Sequence, residues 1–151
     1  LIQQVDDVLY VHAELSRDLV PFIKSNGGID GINKTFKAAL DEALKGRPES
    51  LQSFSQKYEN LLWSREHSKG TLNFDDLKHI TAELKEMGVN MVVHGHTPQR
   101  VGKQKILEIN GVRIVNNDIS MSSGMNNVAS RSGGIKINRR ASQDFLNASN
   151  Q

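Results

Sequence analysis

The sequence predicts an α/β fold, with helices layered on a sheet, and three stretches carry that prediction. Two short apolar runs, Val8–Val11 and Met91–Val93, each end in a histidine. Runs this short and this rich in β-formers read as buried strands that deliver side chains to the rim of their sheet. The third stretch joins a helix to a strand. Asn73 opens a periodicity through Leu77, Ile80, Leu84 and Met87, Gly88 stops it, and the strand Val89–His94 follows. Helix, glycine and strand in that order make one unit of a layered domain.

The first strand, Val8–Val11, follows the acidic pair Asp6-Asp7 and runs into His12. Asn26-Gly27-Gly28 reads as a loop, after which Asp30 can cap a helix whose apolar residues Ile32, Phe36, Leu40 and Leu44 recur at every fourth position. Gly46 and Pro48 end it. A second helical pattern sets Leu51, Phe54, Tyr58, Leu61 and Leu62 on one side and enters Trp63-Ser64-Arg65-Glu66. These two helices are expected to pack as a cap beside the sheet, with their aromatic rings in the core. At Asn73, Asp76 three residues on makes a capping box, and Leu72 can staple onto Leu77.

Met91-Val92-Val93-His94-Gly95-His96-Thr97-Pro98 then runs a strand into a tight turn bearing two imidazoles. Gly95 lets a ligand approach the backbone, and Pro98 fixes the exit path. His94 is expected to bond a backbone carbonyl; for His96 a structural and a ligand-binding role stand level. Beyond it, Ile106–Ile109 and Val112–Val115 flank Asn110-Gly111, the preferred two-residue hairpin turn. Asn116-Asn117-Asp118 leads into the small residues Ser120–Gly124, Ile135–Ile137 reads as a last strand, and a polar tail starts at Arg139. Arg139-Arg140-Ala141-Ser142 has the form that basophilic kinases accept.

At 151 residues and 37% hydrophobic content the chain suits one domain with a real core. Lys and Arg number 19 against 17 Asp and Glu, too even a balance for a basic face, so no nucleic-acid partner is expected. No apolar run reaches the roughly 18 residues of a membrane span. The protein is expected to be soluble; its compartment stays open, with the cytoplasm slightly favoured. The absence of cysteine excludes disulfides, thiolate metal sites and a cysteine nucleophile within this chain, leaving His, Asp, Glu and Asn as ligands. A start at Leu1 rather than methionine suggests a fragment or a processed product.

Candidate site residues follow from these placements. Strands ending in His12 and His96 could bring both rings into one crevice, because ligands of open α/β sheets gather beyond the carboxyl ends of strands. Arg65, beside the only tryptophan, is either an anion clamp, since guanidinium matches phosphate oxygens in a bidentate fork, or a surface residue paired with Glu66 or Glu59.

Four segments, Val11–Ser16, Leu62–Glu66, Val93–Gln99 and Gly111–Ser122, together resemble the C-terminal half of calcineurin-like metallophosphoesterases. They look most like the phosphoprotein phosphatase branch, with the Shewanella-like phosphatases as the candidate within it. The resemblance spans Val8 to Ile137 and is most specific at Gly95-His96-Thr97-Pro98. It implies residues 1–138 as the C-terminal portion of a two-sheet sandwich flanked by helices, and 139–151 as a flexible tail. It implies His12 and His96 as metal ligands and Arg65 as a phosphate contact. It also implies hydrolysis of phosphomonoesters, on phosphoproteins, by two divalent ions (Mn, Fe or Zn) and a bound hydroxide.

Departures from that pattern are Ala13-Glu14 after His12, where glycine is usual and a carboxylate either crowds the site or points to solvent, and Ile119-Ser120 after Asp118. The three carboxylate-bearing segments of the family's N-terminal half do not occur. The chain alone is therefore expected to hold at most one ion, weakly, and to be inactive. Its expected partners are a phosphorylated substrate and either the missing half of the domain or a second copy covering an exposed sheet. Two alternatives stand beside the phosphatase: a non-enzymatic binding or regulatory remnant, and a diadenosine tetraphosphatase-like nucleotide phosphoesterase.

Overall fold

The computed structural model describes residues 1–67, 69–97 and 106–118. Its centre is one mixed sheet of five strands: β1 (Ile2–Val5), β2 (Val8–Val11), β3 (Met91–His94), β4 (Ile106–Ile109) and β5 (Val112–Asn116). The order across the sheet is β1-β2-β3-β5-β4. The inner strands β2, β3 and β5 run parallel, and β1 and β4 close the edges antiparallel. Leu9, Val92 and Ile114 lie side by side in this register and are almost wholly buried. Parallel strands need helical crossovers, and the chain supplies them between β2 and β3.

Both edge strands come from two-residue hairpins. Asn110-Gly111 turns β4 into β5 as expected, and Asp6-Asp7 does the same between β1 and β2, with Asp6 at φ 52°. The sequence reading missed β1 because Gln3 and Gln4 break its apolar run, which an edge strand tolerates.

Five helices carry the remaining core: α1 (Leu19–Ser25), α2 (Gly28–Leu44), α3 (Glu49–Lys57), α4 (Glu59–Trp63) and α5 (Phe74–Glu86). α5 has the expected box, Asn73 accepting from the Asp76 N–H (2.8 Å) while Asp76 accepts from the Asn73 N–H (2.9 Å). Leu77, Ile80 and Leu84 bury its inner face. α2 starts earlier than expected: Gly27, at φ 78°, takes the cap position and Asp30 sits in the first turn, where a carboxylate still complements the helix dipole. α1 was not foreseen; it is only seven residues long, with Pro21 in its first turn, and it buries Leu19, Val20 and Ile23. The single helix expected over Leu51–Trp63 breaks at Tyr58, whose ring stacks on Phe54 (centroids 4.2 Å apart) and meets Phe22 edge-on (5.4 Å).

The α/β class holds, but the expected two-sheet sandwich does not emerge. Among the described residues there is one sheet with helices, because the two antiparallel strands extend the parallel core at its edges rather than forming a second layer. Pro98, Gln99, the Ser120–Gly124 stretch, the strand expected at Ile135–Ile137 and the 139–151 tail lie outside the described residues. Among those described, no helix is long and apolar enough to cross a membrane.

Candidate functional site

The parallel register levels three strand ends. Val11, His94 and Asn116 are neighbours across the sheet. Two further bonds carry the pairing past them, Gly95 N–H to the His12 carbonyl (3.1 Å) and Asn117 N–H to the His94 carbonyl (2.9 Å). His12, Gly95, His96, Asn117 and Asp118 consequently line one cleft beyond the carboxyl ends of β2, β3 and β5. A larger cavity between β1 and the start of α2, lined by Gln4, Lys24, Asp30 and Asn33 among others, gathers no histidine.

The two distant imidazoles meet in that cleft. The rings of His12 and His96 lie 5.2 Å apart, centre to centre, inclined at 65°. Arg65 Nε donates to His96 Nε2 at 3.2 Å, and Trp63 sets its ring 5.4 Å from that of His96 at 75°. Glu66, the partner expected for Arg65 in the surface alternative, accepts from the Arg17 backbone N–H (3.2 Å).

What aims Arg65 is a seam between the segment after β2 and the end of α4. Ala13 N–H donates to the Leu61 carbonyl (3.2 Å) and Glu14 N–H to the Ser64 carbonyl (3.3 Å). The Arg17 guanidinium then ties the seam to the start of α5, donating to both oxygens of Asp76 (3.0 and 2.8 Å) and to the Thr71 carbonyl (2.5 Å). That fork holds the Asp76 carboxyl below its ordinary range, with the Asn73 N–H adding to the effect. Ser64 is buried between exposed Trp63 and Arg65. The alternation of an extended segment puts both neighbours on the site's side.

His96 is held in an unusual backbone conformation. Its φ is 68°, and Thr97 N–H donates to the Gly95 carbonyl at 2.8 Å, closing a γ-turn around it. The positive-φ form of this turn is rare and strained, at about 1–2 kcal/mol for a non-glycine residue. Asn116 braces the turn by donating from Nδ2 to the Thr97 carbonyl (3.0 Å). The strain falls on the histidine and not on Gly95, where an added Cβ would make only ordinary contacts with Asp118 Cβ (3.7 Å) and the His12 carbonyl (3.8 Å).

Beneath the rim, His94 is 3% exposed; its Nδ1–H donates to the Gly95 carbonyl (3.3 Å), while Nε2 is buried with no hydrogen-bond partner among the described residues. Burial is the main force lowering its pKa, and the opposing field of Glu14 does not overcome it. Burial also lowers the pKa of His96, helped by Arg65 and then His12. Glu14 does not point to solvent: it is 1% exposed, and its field reaches both His94 and His96. The cleft thus carries the neutral imidazole of His96 bonded to the Arg65 guanidinium, with the Asp118 carboxyl on its lining.

Tested against a metal ion, the pair fits in one respect. Two imidazoles sharing a tetrahedral ion at about 2.1 Å would place their ring centres roughly 5 Å apart. Against this, His96 Nε2 already accepts a bond from Arg65. Among the described residues no three His, Cys, Asp or Glu side chains converge on a point that could hold a metal.

No family model and no curated protein matches the chain. Its fold is similar to that of a solved cold-active protein tyrosine phosphatase. The two are 25% identical with a TM-score of 0.51, over 80% of this chain and 33% of that one. The chain thus spans about a third of the length of that structure. These findings correct the expected membership of the calcineurin-like metallophosphoesterases: no family model supports it, and the similar structure is described as a protein tyrosine phosphatase. The physical reason is that the resemblance rested on short motifs. Ligands of open α/β sheets of many families gather beyond the strand ends, so a histidine turn there does not single out one family, and among the described residues no carboxylates converge with the histidines to make a metal centre.

Sequence reasoning missed the Arg17 clamp and the strained φ of His96. Neither had a local signal, since the acid that Arg17 clamps, Asp76, lies 59 positions further along the chain.

Proposed function

We propose that this chain forms the phosphate-binding wall of a phosphatase acting on phosphomonoesters, the rest of the enzyme lying outside it. The observation that carries the reading is the convergence of Arg65 and His12 on His96 at the rim of a parallel sheet. The similarity to a protein tyrosine phosphatase supports phosphoester chemistry. Arg65 would bind two phosphoryl oxygens through its guanidinium, and His12 and His96 would orient the group by hydrogen bonds. A cysteine nucleophile cannot come from this chain, which has none. One divalent ion could sit weakly on His12 and His96, polarising a phosphoryl oxygen, and it would compete with Arg65 for His96 Nε2.

Titration with inorganic phosphate tests the wall. Saturable binding is expected, weakened roughly tenfold or more in Arg65→Ala, as for loss of a charge-assisted hydrogen bond. No saturation, or equal affinities, would overturn the proposal. Zinc titration tests the competition: Arg65→Ala should tighten zinc while loosening phosphate, and a parallel loss of both would contradict it.

The buried Glu14 favours a second reading, a binding module without catalysis, because a carboxylate whose field reaches His96 repels a second anion there. Phosphate binding without turnover in the complete protein would select it.

A further inference from the structure

Trp63 is 57% exposed while its ring meets that of His96, although burial of an indole is among the most favourable contributions a side chain can make. It closes α4, and the extended geometry at Ser64 (φ −57°, ψ 134°) sends Trp63 and Arg65 to the same side while Ser64 turns inward. Both flank one ring, that of His96: Arg65 by a hydrogen bond at 3.2 Å, Trp63 edge-on at 5.4 Å. Anything held by Arg65 and His96 therefore has an indole beside it. A phosphoryl group alone gains little from that neighbour. Its organic substituent gains most when it is flat and joined directly to the phosphate oxygen, since it then lies within a ring's width of the anion.

We infer that Trp63 is a specificity-determining residue, a wall on which an aromatic group carried directly on the phosphate packs. This rests on Arg65 and His96 being the phosphate-binding pair. Aryl phosphates should bind in preference to alkyl phosphates of equal charge, by roughly three- to tenfold for one added aromatic pair.

The chain has one tryptophan, so its fluorescence reports this position alone. Inorganic phosphate, phenyl phosphate, phosphoserine and adenosine monophosphate are titrated against the wild type, Trp63→Phe and Trp63→Ala, with emission for the first and calorimetry for all three. The expected result is a preference for phenyl phosphate over phosphoserine that persists in Trp63→Phe and disappears in Trp63→Ala. Equal affinities in the wild type, a preference that survives Trp63→Ala, or tighter binding of adenosine monophosphate, whose base stands a sugar away, would each overturn the assignment. Absence of any inorganic phosphate binding would instead sink the phosphate wall itself, so the two failures are distinct.

Discussion

Two turns in this molecule use the same left-handed backbone for different ends. At the β4–β5 hairpin, Asn110 and Gly111 adopt φ of 54° and 70°. These residue types tolerate that region, and the hairpin's twist requires it. At the end of β3, φ of 68° falls on His96, although Gly95 stands beside it. The first turn is what local preference dictates. The second works against local preference, and its central ring is the one that Arg65, Trp63 and His12 all approach. Strain kept at a residue with that many partners marks a position held for its side chain rather than for the path of the chain.

Breaking the relaxed turn should cost most. Gly111→Ala forces a Cβ into the left-handed region and is expected to lower unfolding free energy by about 1–2 kcal/mol in urea. Crowding adds little, since the nearest atom is the flexible Lys85 Nζ at 3.1 Å. The strained turn should respond in the opposite sense. His96→Gly relieves the backbone and is expected to gain up to about 1 kcal/mol, offset partly by glycine's entropy, while phosphate binding falls. A loss of stability in this variant would show that the ring's contacts outweigh the strain.

The smallest effect at neutral pH comes from His94, already neutral in its buried place. Because the folded values of His94 and His96 lie below the ordinary 6.5, their stabilising effect is complete above 6.5 and is lost as pH falls through the lower folded values. Melting temperature should fall on acidification from pH 7, and His94→Gln should flatten that limb. Asp76, whose folded value is lowered from 3.8, loses its contribution only in more acid solution. A limb unchanged by His94→Gln and confined to that range would assign the loss to the carboxylate.

Wherever structure follows from neighbouring residues, the chain could be read directly. The Asn73–Asp76 box, the Gly88 stop, the Asn110-Gly111 hairpin and the strands ending at His12 and His94 are set by hydrogen bonds and sterics within a few positions. The same locality explains the failures. α1 is too short to show a period, and the α3–α4 break is imposed by Tyr58 seating between Phe54 and Phe22, a contact between remote segments.

By itself the sequence determined that this is an α/β chain with imidazoles at two strand ends and an arginine beside its tryptophan, because residue type and spacing are enough for such statements. Only the tertiary structure decided that His12 and His96 share one cleft with Arg65 bonded to His96, that Glu14 is buried and that Arg17 pins the seam. Those outcomes depend on strand order and register, which join residues dozens of positions apart and are fixed by burial across the whole sheet.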